Sequence, residues 1–443
     1  MNNDPTVLLA PQGQELLARL AAEADGGATP LALAVRLRRE YPADLVAAAT
    51  AQHELRLAAR AKFIRAMQML FTRAGYEQSS AEPIARYRAA RFGGARRVAD
   101  LCCGIGGDLL ALASGREALA VDRDDVHARL ALHNAAVYGQ AENTRAVVAD
   151  VRDIRLDNLD AVFIDPARRS GPGTAPARPD RAPAAAGGGS ARSGGASGPP
   201  RRFRTGQSEP PLDWCFALAE RVPAVCVKAA PGLPADLIPN GWEAEFIADG
   251  RDLKEAVLWS PALATAPVAG SGGPRRALVM SGAETHALVA CPGDAVPVTE
   301  PGEYLLDPNP AVTRAGLVED LARSLAAGGG PGGGPGGDGG SDVAKIDPQI
   351  AFLTLDRPVQ TPFARTLRVL DSAPWNEKRF ARRLRELGIG AADIRRRGLA
   401  GDVDQIHRRL KLAGPNRGTI VITRVNDKPW GLICTDPPSA APS

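Results

Sequence analysis

The sequence is poor in the residues that build metal centres and disulfide frameworks. Its six cysteines, at 102, 103, 215, 226, 291 and 434, form no Cys-x-x-Cys pair, and only five histidines are scattered among them. Structural zinc and iron–sulfur sites need ligand pairs at short fixed spacings, so no metal is expected. Cys102 and Cys103 are adjacent, so in an extended segment they point to opposite faces and cannot chelate as a local pair. The thiols read as buried groups in a reducing cytosol. His127 and His133 lie six apart, and His286 and His407 have no acidic or Cys partner at ligand spacing; all four read as surface or core residues. No apolar run reaches the ~20 residues needed to span a bilayer, so no membrane partner is expected. The first residues lack a basic segment followed by an apolar one, and the protein is expected to be cytoplasmic.

Lysine is also scarce. Of 54 basic residues 47 are arginine, and the net charge is only +4, so any anionic partner must be read from local charge. What is abundant is glycine (47) and proline (37). They concentrate in two stretches, 170–211 and 327–342, which are too apolar-poor to offset ordering entropy. The first reads as a disordered insertion and the second as a Gly-rich linker, both without secondary structure. At 443 residues the chain is long enough for two or three domains. Three blocks fit: an N-terminal helical domain over 1–90, an alternating α/β domain over 91–265, and a C-terminal domain over 275–443. In the first, Leu55, Ala59, Phe63, Met67, Leu70 and Phe71 follow helical spacing and predict a core-facing stripe.

The middle block is the most informative. Apolar runs over 98–103, 118–121, 146–149, 161–164 and 224–228 are separated by helical segments at 109–114, 124–138 and about 214–221. Near-continuous apolar strands alternating with helices predict a parallel sheet covered on both faces. Two further runs, 242–248 and 256–260, have only a short turn between them and predict a terminal antiparallel hairpin. The fold class is therefore α/β, a Rossmann-like sheet ending in a hairpin.

Ligands of such sheets bind beyond the carboxyl ends of the strands. The first strand runs into Gly104-Ile105-Gly106-Gly107, where the backbone can approach a ligand without side-chain clash. Gly106 and Gly107 bring the next helix N-terminus towards a ligand carboxylate. Asp122 ends the second strand, 18 residues after Gly104, where a carboxylate can accept both ribose hydroxyls. Asp150 follows the third strand and is placed for an adenine amine. Asp100 can hold the turn or face an ammonium group, and Asp165-Pro166 ends the fourth strand. A Gly-rich turn alone is compatible with a nicotinamide dinucleotide; the spacing and three successive acids favour S-adenosylmethionine.

This block resembles the class I S-adenosylmethionine-dependent methyltransferases. Tyr76 through Ala85 is similar to the segment before the first strand in enzymes that methylate exocyclic base amines. Val98–Gly107 followed by Asn134–Gly139 looks most like the trimethylguanosine synthase group, which methylates guanine N2 in RNA. Thr361 through Trp430 resembles a THUMP-like α+β domain, which implies RNA contact. The resemblance implies S-adenosyl-L-methionine as cofactor, bound by Asp100, Gly104, Gly106, Gly107, Asp122 and Asp150. It implies Asp165 and Pro166 as catalytic residues, with Asp165 accepting from the target amine. Gln78 and Arg168 would contact substrate. The amine-methylating pattern is Asp, Asn or Ser, then Pro-Pro, then an aromatic; here Ala167 and Arg168 replace its last two members, and Arg168 could stack through its guanidinium plane or bind phosphate.

Residues 361–430 carry 16 Lys or Arg against 7 Asp or Glu. Lys378, Arg379, Arg382, Arg383 and Arg385 fall largely on one helix face, and Arg395–Arg397 follow. This predicts either a solvated face or a phosphate-contacting surface for RNA, tRNA or rRNA. Three readings stay open: an RNA amine methyltransferase, a methyltransferase of a protein or small-molecule acceptor, and a catalytically silent RNA-binding scaffold. Oligomeric state is not encoded legibly.

Overall fold

The structure is a computed structural model that describes residues 4–25, 30–168, 208–267, 273–328, 342–399 and 402–437. These pack as two compact units, Met1–Ala229 with Trp259–Leu263, and Ala230–Leu258 with Ala264–Ser443.

The first unit opens with helices α1 (Pro11–Asp25), α2 (Pro30–Leu37), α3 (Ala43–Ala59), α4 (Arg73–Gln78) and α5 (Glu82–Arg91). Leu16, Leu20, Leu37 and Val46 are fully buried among them. The predicted helical stripe is right about burial and wrong about geometry. Phe63, Leu70 and Phe71 are buried and Met67 half-buried, but α3 stops at Ala59 and residues 60–71 are non-helical. Non-helical buried backbone needs other partners. Gln52 supplies both of them for Phe71, donating to its carbonyl at 2.8 Å and accepting its N–H at 2.7 Å. Buried Arg56 donates to the carbonyls of Met69 and Gln68, and Glu82 accepts from the Ile64 N–H. Apolar spacing alone cannot reveal such partners, which lie elsewhere in the chain.

Then come β1 (Arg97–Leu101), α6 (Leu109–Leu112), β2 (Glu117–Asp122), α7 (Asp125–Val137), β3 (Thr144–Val148), β4 (Ala161–Ile164), β5 (Ala167–Arg168), β6 (Ser208–Glu209), α8 (Leu212–Ala217) and β7 (Ala224–Ala229). Strands β7, β4, β1, β2 and β3 lie side by side in that order, all parallel. Every residue of β4 and all but the first of β1 are buried, as the apolar runs require. α7 is capped by Asp124, whose side chain accepts from the Val126 N–H. One expectation needs correction: the segment 170–211 does carry secondary structure at its end. Ser208–Glu209 pairs antiparallel with Ala167–Arg168 and α8 starts at Leu212, because ladder hydrogen bonds come from the backbone and need no apolar run. Residues 169–207, and 329–341 of the Gly-rich stretch, lie outside the described residues.

In the second unit β8 (Glu243–Asp249) and β9 (Asp252–Trp259) are sheet neighbours joined by the two-residue turn Gly250–Arg251, the expected hairpin. Its turn is shorter than 249–254 because β9 begins with residues that keep Asp252 and Lys254 at the surface. β10 (Arg275–Ser281) lies parallel to β8, and β11 (Glu284–Val289) antiparallel to β10, so two strands continue the sheet past the hairpin. The remainder holds β12 (Tyr304–Pro308), α9 (Pro310–Ala315), α10 (Val318–Ala326), β13 (Ala344–Lys345), β14 (Leu353–Leu355), β15 (Ala364–Pro374), α11 (Glu377–Glu386), β16 (Ile389–Arg396), α12 (Val403–Leu410), β17 (Asn416–Val425) and β18 (Lys428–Thr435). They form a mixed seven-stranded sheet, order β13-β14-β12-β15-β18-β17-β16, in which β16 and β17 run parallel and β17 and β18 antiparallel. Alternation along β17 sends Val421 into one core and Ile420 and Ile422 into another. The β17–β18 turn at Asn426–Asp427 has both residues left-handed, φ 48° and 64°, the geometry of a two-residue hairpin.

Candidate active site

Parallel register decides where the strand-end residues lie. Leu101 pairs with Val121 and with Ile164; Asp122 pairs with Val148; Ile164 pairs with Val227. The residues that follow, Cys102, Asp150, Asp165 and Lys228, therefore emerge with Asp122 on one rim. Cys102 is itself left-handed at φ 62°, and Gly104 and Gly106 follow at 53° and 82°. The turn is tied back to the sheet by the Cys103 N–H, which donates to the Val121 carbonyl at 3.0 Å.

The glycines have separate reasons. Gly104 faces open space. A Cβ on Gly106 would lie 3.1 Å from Ala131 of α7, and one on Gly107 would lie 3.0 Å from the Ser79 Cβ. So Gly107 admits the chain that follows α4, and Gln78 sits exposed one residue before that contact. Gly75 packs the same helix against Ile105. Asn134 of α7, fully buried, donates to the carbonyls of Leu70 and Ile105 and accepts from the Leu70 N–H, clamping the turn from below. Tyr138 donates to Glu82 at 2.7 Å; burial, then that bond, pushes its hydroxyl up to about 12.

Each carboxylate of the rim has its own electrostatics. Asp122 accepts from the N–H groups of Gly104 at 2.9 Å and Asp124 at 3.0 Å, and stands 3.7 Å from His127 Nδ1. Burial works to raise its pKa, but the imidazole and the two N–H groups prevail and hold it below the usual range. The reciprocal contact raises His127 despite its partial burial. Asp150 caps the turn after β3 and is chelated by Arg152, which brings it down to about 2; Arg152 also reaches Glu209 of β6 at 3.0 Å. Asp100 is fully enclosed. Burial first, then the charges of Asp108, Asp165 and Asp122, holds its carboxyl well above the carboxylate range, and its Oδ2 has no hydrogen-bond partner. Arg88 pairs with Asp108 and lies 5.2 Å from the Phe163 ring.

Asp165 is half-buried. Its Oδ2 accepts from Lys228 Nζ at 2.6 Å, which leaves Oδ1 uncommitted among the described residues. Pro166 is buried beside it. Ala167 and Arg168 continue as β5; the Arg168 side chain lies outside the described residues. Thus the rim gathers Asp100, Gly104–Gly107, Asp122, Asp150 and Asp165. The sequence reading missed Lys228, Arg152 and the role of His127. Lys228 could have been found: it leaves its strand at the same offset at which Asp165 leaves the neighbouring one. No cluster of three or more metal-ligating side chains occurs among the described residues, and none of their helices is long and apolar enough to cross a membrane.

Comparison with known proteins adds the family. Two Mycobacterium tuberculosis strains each hold a protein named as an uncharacterized S-adenosylmethionine-dependent methyltransferase, 34% identical over 369 residues, spanning 81% of this chain and 85% of theirs. The chain belongs to the S-adenosylmethionine-dependent methyltransferases. Residues 95–172 of this methyltransferase match the RNA cap guanine-N2 methyltransferase family and 364–436 the THUMP-like family. Residues 4–59 match a domain family of unknown function. The crystal structure of a candidate methyltransferase from Porphyromonas gingivalis W83 shares the fold at a TM-score of 0.70 and 19% identity, covering 95% of this chain and 98% of that one. The enzyme's cofactor is S-adenosylmethionine, and the rim fits it: a buried unpartnered Asp100 oxygen suits an ammonium, and a clamped Asp122 carboxylate suits a diol.

Proposed function

We propose that the enzyme methylates an exocyclic base amine in RNA, guanine N2 in tRNA or rRNA foremost, and that the rim is its active site. The observation that carries this reading is the Asp165–Lys228 pair on the same rim as the glycine turn and Asp122. The match of residues 95–172 to a guanine-N2 methyltransferase family supports the choice of acceptor.

When bound, the cofactor supplies an activated methyl group on a sulfonium. Asp122 would accept from the ribose hydroxyls and Asp150 from the adenine amine, and the Gly104–Gly107 backbone would receive the carboxylate end. Asp100, whose carboxyl burial holds well above the usual range, would face the cofactor's ammonium, an opposite charge that favours its charged form. Asp165 is the catalytic residue: its Oδ1 accepts an N–H of the acceptor amine, aims the nitrogen lone pair at the methyl, and takes up or relays the proton afterwards. Lys228 is a positioning residue that fixes the other oxygen and restricts Asp165 to one geometry. Pro166 stiffens the following backbone. Gln78, at the end of α4, and Arg168 contact the acceptor.

The test is mass spectrometry of RNA nucleosides from cells lacking the gene, with restoration by wild type and by Asp165→Asn. One methylated guanosine should vanish, return with wild type, and stay absent with the variant. An unchanged nucleoside profile would sink the RNA reading and direct the search to protein or small-molecule acceptors.

A further inference from the structure

A second concave site, in the other unit, is unrelated to the rim. A cleft of about 440 Å³ is lined by Arg251, Asp307, Pro310, Ile394, Arg395, Arg396, Arg397 and Val403. Arg251 comes from the β8–β9 turn, Asp307 from β12, Arg395 and Arg396 from the end of β16, and Arg397 from the residue after it. Four arginines and one carboxylate line it, and two of the arginines, Arg251 and Arg397, meet that carboxylate. Asp307 is almost completely buried; it accepts from Arg251 at 2.7 Å and faces Arg397 at 2.8 Å. Those two arginines are further fixed, Arg251 by the Asp307 carbonyl and Arg397 by the Ala351 carbonyl and by the Phe352 ring 4.6 Å away. Burial lowers both their pKa values, with Arg395 adding repulsion at each.

Asp307 is thus spent on Arg251 and Arg397. Arg395 and Arg396 have no ion-pair partner among the described residues; Arg395 is exposed, and Arg396 only donates to the Leu399 carbonyl. The nearby acids Asp393, Asp402 and Asp404 form no ion pair with them among the described residues. Arg365 pairs with Asp436, and Arg424 with Asp427. Asp402, next to Val403, accepts from N–H groups of its own helix. Two arginines without an ion pair, beside an Arg251–Asp307–Arg397 cluster that is itself net positive, therefore line one concavity, in a chain whose overall charge is only +4.

We propose that this cleft is a binding site for a phosphate monoester, the terminal phosphate of an RNA or that of a free nucleotide. A terminal phosphate carries nearly two negative charges near neutral pH, an internal phosphodiester only one, so a cluster this cationic favours the former. A concave site also suits a chain end better than a strand passing through. Planar guanidinium forks match the phosphoryl oxygens, which a row of lysines would meet only as point charges. The RNA source rests on the function proposed above; the phosphate chemistry does not.

The test uses the full-length enzyme and a short mixed-sequence RNA oligonucleotide carrying either a 5′-phosphate or a 5′-hydroxyl, with guanosine monophosphate as a separate probe. Wild type should bind the 5′-phosphorylated oligonucleotide about tenfold more tightly, the scale of one charge-assisted contact pair. The Arg395→Gln/Arg396→Gln double variant should lose that preference while keeping wild-type affinity for S-adenosylmethionine and its melting temperature. Saturable binding of guanosine monophosphate, lost in the variant, without discrimination between the oligonucleotides would assign the site to free nucleotides. If wild type makes no distinction and binds no nucleotide, or the variant keeps the preference, the proposal is overturned. Nucleoside analysis for methyl transfer is independent of this binding assay, so the two proposals fail separately.

Discussion

The two units use charge in opposite ways. The rim of the parallel sheet collects carboxylates and holds each with its own partner: backbone N–H groups and His127 for Asp122, Arg152 for Asp150 and Lys228 for Asp165. The mixed sheet collects arginines and leaves several of them unmatched. At the rim the carboxylates are pushed apart in behaviour: burial and neighbouring negative charge raise Asp100 well above the usual carboxylate range, while hydrogen bonds hold Asp122 and Asp150 below it. Among the arginines most charges stay wet and screened. Arg379 and Arg383 share Asp371, and Arg382 faces Glu386 at 3.7 Å with most of its side chain exposed. The lesson is that the same formal charge means different chemistry according to burial: a clamped carboxylate can recognise one group in one orientation, whereas a mobile surface arginine contributes affinity without much direction.

Mutations can sharpen or break this contrast. The largest effect is expected at Asp165. Asp165→Ala should reduce turnover by about a thousandfold or more, the scale of a lost proton acceptor and orienting group, with cofactor affinity unchanged by calorimetry. Lys228→Gln should lower kcat by roughly ten- to a hundredfold at an unchanged cofactor Kd, since it removes positioning only. A matching loss of cofactor binding would show that the pair supports the pocket rather than the reaction.

Asp122→Ala should weaken S-adenosylmethionine binding by about a hundredfold, because hydrogen bonds to a charged group are worth roughly 1.5–3 kcal/mol each. Asp100→Asn separates stability from function. A carboxyl raised above 3.8 contributes stability below that pH and loses it as pH rises towards the folded value, so the neutral variant should melt higher than wild type near neutral pH without cofactor. The same variant should bind cofactor more weakly. The smallest effect is at His127. Its pKa is raised above 6.5, so its contribution is complete below 6.5 and is lost as pH rises through the folded value. Melting curves of His127→Gln should lie below wild type near about pH 6 and converge with it by about pH 9.

Much of the rim was legible because strand ends are written in the sequence as apolar runs stopped by polar residues. Asp122 and Asp165 were placed by that rule, and parallel register did the rest. Lys228 was overlooked because a lysine after a strand is unremarkable until register sets it against Asp165. The stripe through Phe63 and Phe71 was read as helix because its spacing is helical; Gln52, Arg56, Asn134 and Glu82 stabilise a different backbone from distant positions. Arg395–Arg397 were legible as charge, but not as a cleft, since Arg251 and Asp307 reach them only through the fold.

By itself the sequence determined the alternation of strands and helices, the glycine turn and the acids at strand ends, because these depend on local periodicity and on which residues tolerate a left-handed backbone. Tertiary structure alone decided which charges meet. Lys228 on Asp165, His127 on Asp122 and Arg251 on Asp307 are separated by 63, 5 and 56 positions. Electrostatic energy depends on distance and burial in space, and chain order supplies neither until the sheets have formed.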